Sequence, residues 1–233
     1  MNRNLWLLSL LQGLFLTNNV TFIAINGLVG LMLAPYPWMA TLPVMGYVVG
    51  GALFTGPVAM TQARLGRKGS FLLGLVVALV SALLCALAAY HQLFWLLLAS
   101  TVLAGCYSAN GQLYRFASVE LAAPSAREKA VSMVMAGGLL GAVIGPNLAA
   151  WTRDLATVPF VGAYLALAGV AVVAMLVLAA IRFPAAEERR REAGSGVVTG
   201  RPLAAIVRQP VFIVAALAGA LGYGVMNLLM AAT

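Results

Sequence analysis

The chain has 233 residues, of which 63% are hydrophobic and 9% charged, with a formal net charge of +8. Average soluble domains carry roughly 25% charged residues. Uninterrupted apolar runs of the ~20-residue length that crosses a bilayer recur along the chain, which excludes one large soluble core. The cationic excess is a topology signal rather than a nucleic-acid footprint, because of where it falls.

Seven apolar runs follow one another, at residues 5–31, 38–60, 70–89, 94–113, 130–151, 160–181 and 211–230. Hydrocarbon offers no water to backbone amides, so each run is expected to be helical. Closed barrels need alternating strands, and no such alternation occurs. The first run is too long, and too polar at its centre, to be a signal peptide. Within it FLTNNVTF places two amides and two hydroxyls in otherwise oily surroundings.

Gln12, Asn19 and Asn26 are spaced by seven, so they keep within about 20° per step of one line on a helix. Such a stripe is costly against lipid and is expected to face other helices or a water-filled cavity. Asn18 projects about 100° from Asn19 and is expected to bond a neighbouring helix. The fourth run offers a complementary face, with Tyr107, Asn110 and Tyr114 at spacings of three and four. Gly141 and Gly145 in the fifth run permit close helix contact. Pro146 lacks an amide hydrogen and clashes with the Ala142 carbonyl, which predicts a bend. Tyr223 and Asn227 repeat the four-residue spacing in the seventh run.

Thirteen of the fourteen basic residues lie before the first run or in the connections after the second, fourth and sixth, leaving Arg153 alone on the other side. The positive-inside rule makes the crowded side cytoplasmic. The expectation is a multi-pass cell-membrane protein, in a bacterium the inner membrane, with a cytoplasmic amino terminus and the lipid bilayer as a partner. Cys85 and Cys106 lack CxxC spacing and read as small apolar fillers. His91 stands alone in an outer turn, so neither a metal nor another cofactor is expected.

Residues 59–68 read AMTQARLGRK. This resembles the loop signature of the major facilitator superfamily, in which Gly, three residues and Asp precede Arg, any residue, Gly, Arg and Arg or Lys. Arg64, Gly66, Arg67 and Lys68 match, while Ala59 replaces the Gly and Ala63 the Asp, removing one member of the charge network that latches a transport state. Residues 137–149, GGLLGAVIGPNLA, resemble the GxxxGP motif of that superfamily's drug and proton antiporters through Gly141, Gly145 and Pro146. Ser132 and Ala149 stand at two further glycine positions of the motif. Thr101 stands where those antiporters often carry an Arg, four residues before Gly105.

The resemblance implies an all-α membrane protein with a six-helix amino-terminal bundle over residues 1–181. A cytoplasmic linker at 182–209 and a seventh transmembrane helix at 210–233 would follow, the helix opening a second bundle. The carboxy-terminal bundle would then be a missing partner, and the chain a fragment or a short product. In that fold runs one, four and seven line a central cavity, which makes Gln12, Asn18, Asn19, Asn26, Tyr107, Asn110, Tyr114, Tyr223 and Asn227 the candidate substrate-binding residues. Arg64, Gly66, Arg67, Lys68, Arg115, Glu120, Gly141, Gly145 and Pro146 are the candidate gating residues.

The implied function is secondary active transport of a small neutral or amphipathic organic solute by alternating access, with proton-coupled export suggested by the antiporter motif. No Asp or Glu falls within any run, so a proton carrier would be Glu120 at the inner surface or belong to the second bundle. Arg115 is read as an inner-interface anchor, with pairing to Glu120 or to linker acids as the alternative. Competing readings are an uptake permease of the same fold and a seven-span receptor, whose amino terminus would normally lie outside. An enzyme is not expected, since no nucleophile and base are paired.

Overall fold

The computed structural model describes residues 3–183 and 209–232, and their side chains except those of Pro124, Tyr223 and residues from 226 onward. The regular structure among the described residues is helical: α1 Arg3–Leu33, α2 Leu42–Tyr90, α3 Phe94–Gly111, α4 Tyr114–Leu121, α5 Arg127–Thr152, α6 Val161–Ala180 and α7 Pro210–Ala232. Single tight turns at Pro37–Met39 and Pro124–Ala126 precede α2 and α5. The helices divide into two units, α1–α6 and α7. The expected linker lies almost wholly outside the described residues.

Four described segments are long and apolar enough to cross a membrane: Arg3–Leu33, Pro37–Tyr90, Arg127–Thr152 and Val161–Ala180. The second has 54 residues, about twice what a bilayer requires, and it holds both the second and third apolar runs. The chain folds back within it at Gly66, whose φ of 72° lies in the left-handed region that glycine adopts without a Cβ clash. A hydrogen bond of 3.0 Å joins the hydroxyls of Thr61 and Ser70. Nine residues of straight helix would hold them about 13.5 Å apart.

The fourth run is split. α3 has 18 residues, and Ser100, Thr101, Ser108 and Asn110 dilute its apolar character. It ends where the Leu113 amide bonds back to the Asn110 carbonyl, 3.0 Å away, in a three-residue turn. The chain then resumes as α4, with Tyr114, Ala117, Ser118 and Leu121 buried.

Every other helix of the first unit packs on α1. Leu8, Phe15, Phe22 and Val29, seven residues apart, are all at most 3% exposed, so this line is the axis of the bundle. Two apolar clusters flank it. One gathers Leu8, Leu11 and Phe15 with Phe71, Leu75, Tyr107, Tyr114 and Leu178. The other gathers Phe22, Ile25 and Val29 with Tyr47, Leu97, Tyr164 and Leu167.

Candidate functional site

The polar residues of α1 fall into two groups once their partners are known. Asn18 donates to the Leu167 carbonyl of α6 at 3.3 Å. Asn26 donates to its own helix at Phe22, and its oxygen accepts the Tyr164 hydroxyl at 2.9 Å. The Tyr47 hydroxyl of α2 donates to Asn19 at 3.1 Å. Asn18 therefore meets a neighbouring helix, as its angular offset predicted. Asn19 and Asn26, although on one line, reach different helices. The amide line runs beside the Phe15–Phe22 axis, and both are covered by the surrounding helices.

On α3, Asn110 is fully buried and closes a polar chain across three helical segments. Its oxygen accepts from Ser70 at 2.9 Å, its nitrogen donates to the Cys106 carbonyl at 3.2 Å, and Ser70 also bonds Thr61. Gly74 makes the approach possible, because a Cβ there would lie 2.9 Å from the Asn110 side chain. These bonds give Asn18, Asn26 and Asn110 a packing role.

Gln12, Tyr107 and Tyr114 differ. The Gln12 Oε1, Tyr107 hydroxyl and Tyr114 hydroxyl are buried without a hydrogen-bond partner, as is Gln62 Nε2. Both tyrosine rings meet Phe15 edge-on, with centroids 5.4 and 5.9 Å away, and Gln12 lies one turn before Phe15 on α1. Phe71 also packs edge-on against Tyr114, with centroids 4.7 Å apart. An unpaired buried hydroxyl or amide oxygen costs about 1–3 kcal/mol. Two phenols thus share one aromatic ring as neighbour, while the Gln12 side chain runs past Gly138 of α5. Tyr223 and Asn227 fall on the backbone of α7, but their side chains lie outside the described residues.

The end of the bundle at the Gly66 turn carries the second constellation. From the Gly66 turn, Arg67 reaches Glu120 on α4, with Nη2 2.6 Å and Nε 2.8 Å from the same carboxylate oxygen. Its Nη1 donates to Gln62 Oε1 at 3.3 Å. Lys68 turns the other way and donates to the Ala179 and Ile181 carbonyls at the end of α6, at 2.8 and 2.9 Å, where a cation also complements the helix dipole. Asn4 of α1 donates to the Arg182 carbonyl at 2.9 Å.

The consecutive pair Arg67–Lys68 therefore binds α2 to α4 and α6 together. Glu120 is engaged by Arg67, 53 residues away in sequence. Arg115 lies with its guanidinium 4.9 Å over the Phe116 ring. Arg64 is exposed.

Gly141 and Gly145 form a seam with α1. The Thr17 hydroxyl donates to the Gly141 carbonyl at 3.2 Å, Thr21 to Gly145 at 2.7 Å and Ser9 to Met133 at 3.0 Å. All three pairs are separated by 124 residues, so α1 and α5 run parallel and in register, meeting every four residues. α5 continues through Pro146 to Thr152.

Neither Tyr47 nor Tyr164 was a sequence candidate, although they hold Asn19 and Asn26. Nothing in their own segments marks them, because the signal is a shared depth on separate helices.

The sequence profile of the Major Facilitator Superfamily matches residues 5–232. Over 233 residues, 99% of this chain, the sequence is 35% identical to "Riboflavin transporter RfnT" of Brucella anthropi, of which the match covers 57%. It is 29% identical over 110 residues to the uncharacterized MFS-type transporter YddS of Bacillus subtilis, covering 47% of this chain and 25% of that protein. The chain thus spans little more than half the length of the first relative and a quarter of the second. The residues matched by the profile include the Gly66 turn, the α1–α5 seam and the buried phenols, and the chain belongs to the Major Facilitator Superfamily.

Proposed function

We infer that the chain is the amino-terminal half of a secondary transporter for a small, planar, largely neutral organic solute, with riboflavin as the first candidate. The observation that carries this reading is the set of buried, unpartnered polar atoms on Gln12, Tyr107 and Tyr114, the two tyrosines sharing Phe15 as an edge-on neighbour. A flavin presents ring carbonyls and a ring N–H, which suit two phenol donors and an amide acceptor. The relative's name supports the same solute class. Among the nine candidates, these three are the strongest for solute contact. Asn19, Tyr223 and Asn227 are kept as further candidates, while Asn18, Asn26 and Asn110 hold the helices in place.

The second bundle, entered through the linker and α7, would close the site from the opposite side, and rocking between the halves would expose it alternately. The Arg67–Glu120 pair and the Lys68 contact to α6 would hold the inner end in one of those states and yield in the other. Gly141, Gly145 and Pro146 would take part by fixing α5 to α1 as one body. The antiporter-like glycines are the feature that favours export, and the seam explains the same glycines by packing. A proton carrier would be Glu120, which Arg67 engages here, or would sit in the second bundle, since the sequence places no carboxylate within these spans. The amino terminus would be cytoplasmic, in a bacterial inner membrane.

Riboflavin titrated against the purified chain in detergent, read by quenching of flavin fluorescence, tests the site. Binding should saturate. Tyr107→Phe combined with Tyr114→Phe should weaken it about thirtyfold, the equivalent of two hydrogen bonds of about 1 kcal/mol each. An unchanged affinity in the folded double variant, or no binding by the parent chain, defeats the assignment.

A further inference from the structure

α4 presents a face that the transporter reading leaves unused. Tyr114, Ala117, Ser118 and Leu121 point into the bundle at i, i+3, i+4 and i+7, and Arg115 and Phe116 point away from it. Phe116 is 51% exposed, and the Arg115 guanidinium covers its ring. α3 has 18 residues, about 27 Å of helix, close to the ~30 Å hydrocarbon thickness. The break after Gly111 therefore sets α4 at the depth of the lipid headgroups. A phenylalanine exposed there meets the upper acyl chains, and a cation beside it meets phosphate.

The charge around this face is one-sided. Arg127 and Lys129 are exposed just beyond α4, and Glu128 is the exposed carboxylate between them. Glu120, the nearer acid, is engaged by Arg67. An anionic headgroup answers this arrangement better than a zwitterionic one, because it offers net charge and oxygens able to accept two guanidinium N–H groups at once.

We propose that the Arg115–Phe116 face of α4, flanked by Arg127 and Lys129, binds an anionic phospholipid of the inner leaflet. The phosphodiester accepts from the Arg115 guanidinium and an acyl chain lies against the Phe116 ring. The assignment to the inner leaflet rests on the cytoplasmic placement of the amino terminus; binding itself requires neither a transported solute nor the second bundle.

Native mass spectrometry of the purified chain, released from micelles holding equal phosphatidylglycerol and phosphatidylcholine, tests the site. Phosphatidylglycerol should be retained preferentially. Arg115→Gln should reduce that preference about fivefold, the effect of one juxtamembrane cation, and Phe116→Ala should reduce retention of phosphatidylglycerol as well. Both positions are exposed, and thermal melting of each variant verifies the fold. Equal retention of the two lipids by the parent chain overturns the proposal, as does an undiminished preference in the folded Arg115→Gln, Phe116→Ala double variant. Loss of preference only in Arg127→Gln, Lys129→Gln also overturns it, since the site would then lie on α5.

Discussion

Replacing Gly141 with alanine tests the in-register α1–α5 seam most directly. A Cβ at this position would come within 2.7 Å of the Gly13 carbonyl carbon and 3.0 Å of its Cα, with the Gly13 carbonyl oxygen nearer still. Carbon atoms in contact prefer about 3.5–4.0 Å, so the helices must part by close to an ångström. That strain costs about 1–3 kcal/mol. The same separation stretches the Thr17–Gly141 and Thr21–Gly145 hydrogen bonds, which contribute about 0.6 kcal/mol each. Alanine recovers up to ~1 kcal/mol of helix propensity, leaving a net destabilisation of roughly 1–3 kcal/mol.

Gly169→Ala on α6 is the matched control, because a Cβ there meets nothing within 4 Å. Propensity alone acts at that position, so its expected change is zero to slightly stabilising. Equilibrium unfolding of the two variants and the parent in mixed micelles with increasing sodium dodecyl sulfate, followed by circular dichroism, gives the comparison. Gly141→Ala should unfold first and Gly169→Ala no earlier than the parent. If the two alanine variants unfold together, the close contact between α1 and α5 is not present and the register argument fails.

Asn26→Leu should destabilise the bundle by about 1–3 kcal/mol, because it strands the buried Tyr164 hydroxyl; the same unfolding assay reads it, and parental stability would rule out that bond. Tyr114→Phe removes a hydroxyl that has no partner, so stability should hold or rise by up to about 1 kcal/mol, whereas a clear loss would mean that the hydroxyl is bonded in the native state. A double-mutant cycle with Arg67→Gln and Glu120→Gln should return a coupling of about 1–3 kcal/mol, given charge-assisted geometry at a partly covered site, and additive single effects would argue against the pair. A phosphatase fused to the amino terminus should be inactive in cells, while a fluorescent protein at the same end should glow; the reverse pattern inverts the topology.

The apolar runs and the scatter of basic residues already determined that this chain is helical and crosses a membrane, because both signals are local and the bilayer enforces them. Edges of α1, α5, α6 and α7 fall within three residues of the sequence expectation. The break in the fourth run is different, since α3 stops where Gly111 meets the Phe15 ring of another helix. The amides show the limit more sharply. Seven-residue spacing put Gln12, Asn19 and Asn26 on one line, yet Asn19 and Asn26 meet different partners, Tyr47 and Tyr164, arriving from α2 and α6, and the Gln12 oxygen meets none. Likewise, Arg115 is the cation nearest Glu120 in sequence, but the turn at Gly66 brings Arg67 to it first. Periodicity fixes the direction of a side chain on its own helix; what that direction meets depends on the lateral order and register of the other helices, and only the packed bundle decides that.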